Sequence, residues 1–244
     1  MTNILLTLRF DGTAYHGWQV QKNALSVQQV LQDALETMLG KRPPVTGCSR
    51  TDSGVHALAY CVNFRHDTGI PHTAFVPGLN TLLPDDIAVL SACLMPEDFH
   101  ARYSAAGKSY VYQIDTGQVR DPFLQKYVWR YPYPLDAQQM NADAQALLGK
   151  HDFTSFRAAG GKEGDPVRTV KGCHVERTGD VVRIRIEADG FLYNMVRIIV
   201  GTLIGRQNGT VGRQIEEVIR ARDRSAAGIT VPPHGLFLEQ VYYE

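Results

Sequence analysis

Polar and apolar residues follow two alternating rhythms along this chain, and the same order of rhythms occurs twice. Leu6, Leu8 and Phe10 alternate with Thr7 and Arg9, the two-residue period of a strand with one buried face. Asp11, Gly12 and Thr13 then turn the chain. Ser26 and Gln29 are spaced as a capping box, and Val27, Val30, Leu31, Ala34, Leu35 and Met38 recur at helical spacing until Gly40 stops the helix. A polar run over residues 47–57 follows. Beyond it the pattern predicts a strand at 61–64, a helix near 72–83 and a strand near 87–94.

The second pass begins at Tyr110, Tyr112 and Ile114, which alternate like Leu6, Leu8 and Phe10, and Asp115-Thr116-Gly117 takes the place of the first turn. A helix is predicted over about 135–148, capped by Asp136 and Gln139 and ending in Leu148-Gly149-Lys150, much as the first ends in Leu39-Gly40-Lys41. Strands at 170–176 and 181–187 flank a hairpin turn, Arg177-Thr178-Gly179-Asp180. An apolar helix at about 191–205, a shorter one at 213–222 and an alternating strand at 236–243 complete the chain. Strands mixed with helices imply an α+β fold. The repeat implies two similar α/β halves with antiparallel or mixed sheets and a cleft between them, unless it reflects only common strand–helix patterning. The boundary falls near 99–106, giving residues 1–102 and 103–244.

Bulk properties narrow the function. At 244 residues the chain can bury a full core. Its longest apolar stretch, residues 191–204, is too short for a membrane span and is interrupted by Asn194 and Arg197. Met1-Thr2-Asn3 does not start a signal peptide, so a cytoplasmic location is expected. None of the four cysteines, Cys48, Cys61, Cys93 and Cys173, pair at metal-ligand spacing, and reduced, mostly buried thiols are expected. Cys48 has only His56 nearby to activate it as a nucleophile. Residues 160–165 hold one Lys and no phosphate-loop pattern, so no nucleotide cofactor is expected; a loop near a substrate is.

The 25 cations balance the 25 acids, which argues weakly against a polyanionic partner. Their distribution argues the other way. Eighteen cations are Arg, suited to bidentate phosphate contact and to stacking on bases. Residues 41–65 carry Lys41, Arg42, Arg50 and Arg65 against a single acid, Asp52.

That acid lies in the most informative segment, Gly47-Cys48-Ser49-Arg50-Thr51-Asp52-Ser53-Gly54-Val55-His56-Ala57. Ser and Thr hydroxyls can hydrogen-bond the backbone around the carboxylate, and the glycines permit angles other residues resist. In isolation this could be a turn-capping Asp. Five further segments accompany it in fixed order: Phe10 through Gln19, Phe99 through Ala105, Lys108 through Tyr112, Gly190 through Arg197, and His234-Gly235-Leu236. Together the six segments resemble the tRNA pseudouridine synthase A family, and the resemblance covers nearly the whole chain. One departure is the stretch Gly228-Ile229-Thr230-Val231-Pro232-Pro233, where the family has more Ala and Pro; it bears on the placement of Leu236.

The resemblance implies the pseudouridine synthase fold, two α/β halves flanking an RNA-binding cleft, and isomerisation of uridine to pseudouridine at positions 38, 39 and 40 of the tRNA anticodon arm. It implies no cofactor and no metal, and a homodimer in which one tRNA touches both subunits. Asp52 is then the nucleophilic carboxylate. Arg197 is the cation that keeps it ionised, the alternative being an Arg turned from its apolar helix into solvent. Tyr110 is the pocket tyrosine, which otherwise reads as core. Leu236 is an apolar wall, or ordinary packing. Arg50 either fills the space of a flipped base or contacts a phosphate. Asp11, Tyr15, His16 and Trp18 form a polar-aromatic loop suited to RNA, although Trp18 could equally anchor the loop to the core. The runner-up is a non-catalytic tRNA-binding or folding protein of the same fold. An unrelated hydrolase lacks a second acid, a nucleophile–base pair or a metal cluster.

Overall fold

The computed structural model describes residues 1–160 and 164–243, so three residues of the predicted 160–165 loop lie outside the described ones. The chain divides into two units, residues 1–106 with 237–244 and residues 107–236.

In the first unit, strand β1 (Thr2–Phe10) buries Ile4, Leu6, Leu8 and Phe10, the period-two face read from the sequence. It runs antiparallel to β3 (His56–His66) on one side and to β4 (Ile87–Met95) on the other. The short β2 (Val45–Gly47) pairs with β3. The last strand, β10 (Leu236–Tyr243), lies parallel to β3 with Phe237 opposite His56. Two buried asparagines tie the segment after β4 to this sheet. Asn3 Nδ2 donates to the Phe99 carbonyl at 3.1 Å, Asn63 Nδ2 donates to Asn3 Oδ1 at 2.9 Å, and Asn63 Oδ1 accepts from the Ala101 amide at 2.9 Å. These bonds satisfy the buried amides and fix the segment together with Phe99, whose ring packs on Tyr243 at 5.0 Å.

Helix α1 (Val27–Leu39) starts where Ser26 Oγ accepts the Gln29 amide and stops at Gly40, whose φ of 73° is left-handed. Its stripe of Val27, Leu31, Ala34, Leu35 and Leu39 is buried. The predicted helix at 72–83 resolves into a 3-10 turn, His72–Ala74, followed by α2 (Phe75–Leu82), which packs on β4.

In the second unit the sheet runs β5-β9-β8-β7, each neighbour antiparallel: β5 (Ala105–Asp115), β9 (Val181–Ala188), β8 (Val167–Thr178) and β7 (Gly149–Asp152). A two-residue strand, β6 (Trp129–Arg130), pairs parallel with β5. Helix α3 (Ala137–Ala144) is capped by Asp136, whose carboxylate accepts from the amides of Gln138 and Gln139, and it packs against β8. It is shorter than predicted because residues 145–147 tighten into a 3-10 turn. Helix α4 (Met195–Gln207) is buried on almost all sides, as its mostly apolar sequence, interrupted by Arg197, requires. It begins four residues later than predicted, because Asn194 holds a left-handed φ of 60° that a helix interior excludes. Helix α5 (Ile215–Ala221) begins at the capping box of Gln214 and Glu217.

Candidate active site

The polar run with Asp52 at its apex joins β2 to β3, and the backbone holds it on three sides. At its start, the Cys48 amide donates to the Cys61 carbonyl at 2.8 Å, and the Tyr60 hydroxyl donates to the Ser49 carbonyl. At its apex, the Val55 amide donates to the Asp52 carbonyl at 3.2 Å, and Gly54 in the third position has φ of 76°. This is a β-turn of the kind that needs Gly there. Across from it, residues 12–18 clasp the run. The Trp18 amide donates to the Thr51 carbonyl and the Gly54 amide to the Tyr15 carbonyl, both at 3.2 Å. Ser53 Oγ also donates to the Tyr15 carbonyl, at 3.3 Å. Gly17, at φ of 80°, lies so close that a Cβ would stand 2.3 Å from the Thr51 carbonyl oxygen. The carboxylate of Asp52 is thus carried, half-buried, on a loop whose main chain has little room to move.

The loop beside it is fixed by side chains. Trp18 is buried and stacks on Tyr60 at 4.2 Å, which anchors the loop to the core. Asp11 accepts from the Thr13 amide at 2.9 Å and lies 3.1 Å from Nδ1 of His56. His56 is buried, stacks on Phe237 at 4.7 Å, and accepts the Gly12 amide at Nδ1 at 3.0 Å. Sequence reasoning gave His56 no role here. It pins the C-terminal end of the Asp52 run to the Asp11 turn, a non-local contact that no spacing in the chain announces. Tyr15 is buried, and its hydroxyl donates to Asp86 at 2.6 Å; burial, that hydrogen bond and the Asp86 charge all push the phenol up. Arg50 is exposed and lines an open cavity with Trp18, Ser49 and Arg102. Cys48 is buried. Thr51 Oγ1 is a buried hydroxyl with no hydrogen-bond partner among the described residues.

Tyr110, Arg197 and Leu236 belong to the second unit. Tyr110 lies on β5 opposite Ile186, buried, with the ring of Phe191 edge-on at 4.9 Å. Arg197 is half-buried in the first turn of the core helix α4 and is not turned away into solvent. Its Nε donates to the Val231 carbonyl and its Nη1 to Asn194 Oδ1, both at 2.7 Å. The left-handed Asn194 that delays the helix therefore also orients the guanidinium. The segment that carries Val231 is fastened further by the Gly228 amide, which donates to Thr202 Oγ1 at 2.9 Å, and by Tyr112, whose buried hydroxyl donates to the Pro232 carbonyl at 2.8 Å. Burial pushes the Tyr112 phenol far up, against a smaller opposing pull from the charge of Arg197. Leu236, next in line, is buried. Arg197 and Leu236 are thus linked through one stretch of backbone, and Tyr110 shares strand β5 with Tyr112.

Comparison with known proteins shows the family of the chain. Residues 7–104 and 144–244 match the tRNA pseudouridine synthase family. A tRNA pseudouridine synthase A of Thermoanaerobacter sp. strain X514 is 44% identical over 244 residues, covering the whole of both chains. One of Citrifermentans bemidjiense is 45% identical over 248 residues, covering 100% of this chain and 98% of its own. A tRNA pseudouridine synthase A 2 of Clostridium perfringens is 43% identical over 244 residues, again covering both chains entirely. With relatives this similar from end to end, the chain belongs to the tRNA pseudouridine synthase family, whose members are isomerases.

Proposed function

We propose that the chain isomerises uridine to pseudouridine at positions 38, 39 and 40, in the anticodon arm of tRNA, with Asp52 as the attacking carboxylate. The observation that carries this reading is the backbone clasp around Asp52. Main-chain hydrogen bonds between Trp18 and Thr51 and between Gly54 and Tyr15 flank Asp52, which carries its half-buried carboxylate at the first position of a tight turn. A carboxylate held in one place requires little reorganisation before it attacks.

The reaction is an isomerisation, so its atoms balance within the substrate. The bond from C1′ to N1 breaks, the uracil turns within the pocket, C1′ bonds to C5, C5 gives up its proton and N1 ends with one. Asp52 must be ionised to attack. Arg197, held by Val231 and Asn194, is the residue in the family pattern that keeps it so. Tyr110 is positioned on a rigid strand to stack on the uracil and assist removal of the C5 proton. Leu236 supplies an apolar wall, and Asp11 and Trp18 hold the loop that clasps Asp52. We further propose that the enzyme acts in the cytoplasm as a homodimer. A neutral chain gathers more cations along one RNA when two copies share it.

The test is release of tritium from C5-labelled uridine in unmodified tRNA. Wild type is expected to release it from the anticodon arm, and Asp52→Asn to release none while still binding tRNA. Release by Asp52→Asn at the wild-type rate would remove the carboxylate from the mechanism. Binding without release by either protein would make this a tRNA-binding or folding protein instead.

A further inference from the structure

Arg50 and Arg102 come from segments half the first unit apart in sequence, yet they line one open cavity of about 160 Å³ with Trp18, Gln19, Gln28 and Ser49. Three features give this cavity a chemistry. First, no carboxylate among the described residues forms an ion pair with either arginine. Elsewhere Arg42 pairs with Asp33 and Glu36, Arg206 with Asp143, and Arg222 with Asp152. In a chain of zero net charge, two arginines without an acid on one concavity are a local excess of positive charge. Second, Gln28 offers a further donor. The Val20 amide donates to Gln28 Oε1 at 3.2 Å, which occupies the carbonyl end of that side chain and leaves its NH2 end as the available one. Third, the frame is rigid. Trp18 is stacked on Tyr60, and the amides of Arg102 and Tyr103 both donate to Nδ1 of His100 at 3.2 Å.

The cavity is small and open. Sites for whole cofactors or drug-sized molecules enclose about 300–1,000 Å³. This cavity is smaller and suits a single anionic group. Its position is equally restrictive. Arg50 precedes Asp52 by two residues, so their Cα atoms are at most about 7 Å apart.

We propose that this cavity binds a phosphodiester of the RNA chain, about one or two linkages from the reacting uridine, with Arg50 and Arg102 as its paired cations. The proposal rests on the reading of tRNA as substrate, and it assigns Arg50 to phosphate contact in preference to filling the space of a flipped base. Held there, the backbone fixes the register of the strand, so that the uridine enters at Asp52 and not one nucleotide to either side.

The experiment uses anticodon stem-loop RNAs, each with one neutral methylphosphonate linkage near the target. Tritium release and equilibrium binding are measured for wild type, Arg102→Ala and Arg102→Lys. At one linkage, neutralisation should cost wild type about tenfold or more in kcat/KM, chiefly through KM. Arg102→Ala should lose a similar factor on unmodified RNA and nothing further at that linkage, and its salt slope should fall by about one. Arg102→Lys should recover part of the loss. Additive losses at every linkage, or an Arg102→Ala variant with unchanged KM and salt slope, would overturn the subsite. If wild type releases no tritium from any RNA, the isomerase reading fails on its own. The same linkage-specific coupling in the binding data would then uphold the phosphate site, and its absence would remove that too.

Discussion

Replacing Gly17 by Ala separates the strain of a backbone conformation from the placement of the catalytic loop. A Cβ at Gly17 would meet the Thr51 carbonyl oxygen at 2.3 Å and the Asp52 carbonyl carbon at 3.1 Å. Ordinary contact begins at 3.4 Å, so the Asp52 loop must retreat by about 1 Å. The φ of 80° adds the left-handed penalty of a non-glycine residue, about 1–2 kcal/mol. A displacement of about 1 Å at a reacting group costs roughly 100-fold in rate, or about 2.7 kcal/mol of transition-state stabilisation. Gly40→Ala provides the control. Its φ is 73° and nothing lies within 4 Å, so it carries the strain without the clash. Both variants should melt lower, by about 2–4 °C for each kcal/mol lost. Calorimetry and tritium release on the same preparations would show whether activity parts from stability. Gly40→Ala should keep wild-type kcat/KM at 25 °C, and Gly17→Ala should lose about two orders of magnitude. A Gly17→Ala enzyme within threefold of wild type would refute the claim that the clasp sets the position of Asp52.

Two further outcomes follow from buried polar groups. Thr51→Val removes a buried hydroxyl that has no partner among the described residues, so stability by urea denaturation should hold or rise by up to about 1 kcal/mol; a loss above 1 kcal/mol would mean that the hydroxyl is bonded in the folded protein. Raised folded pKa values predict loss of stability in alkali. Tyr112 is held far above its ordinary value of about 10, and Cys173 is pushed up to about 12, both by burial. The unfolded chain releases these protons first, so their contribution is complete below the unfolded values and disappears as pH climbs through them toward the folded ones. Each group should add a slope of about 1.4 kcal/mol per pH unit above its unfolded value. Tyr112→Phe should flatten the curve above pH 10, at a cost of about 1 kcal/mol at neutral pH from the lost bond to Pro232. An unaltered alkaline slope in that variant would contradict the assignment.

How much of this the chain announces depends on how local the cause is. Strand β1, helix α1 and the Asp136 cap were legible because period, cap and stop residues lie within a few positions of one another. The start of α4 was not, since its apolar run extends through Phe191 and Leu192, and only the left-handed Asn194 delays it. Strands β2, β6 and β7 were missed, being too short for any periodicity to register. The return of β10 beside β3 could not be read either, because a parallel partner nearly two hundred residues away leaves no trace in local pattern, and no single cut of the chain expresses it. The residues proposed for chemistry were named through whole motifs. Their supports, His56, Tyr60 and Arg102, carry no spacing signal and emerge only when distant segments are folded together.

The way Asp52 is held also explains why its loop is so polar and yet so constrained. Its main-chain groups are engaged by Cys61, Trp18 and Tyr15 as backbone partners, and the buried Cys48 and Val55 anchor it on either side of the carboxylate. Side chains at the apex are therefore available for selection by substrate, and Arg50 can face outward beside Arg102 without loosening the carboxylate two residues later. The burden of rigidity moves to the clasp. There it falls on a glycine that must be left-handed, a tryptophan stacked on Tyr60 and a histidine that accepts the Gly12 amide. Substitutions in the clasp should accordingly damage kcat, while those at Arg50 and Arg102 should act on KM. That division distinguishes residues that place the carboxylate from residues that place the RNA.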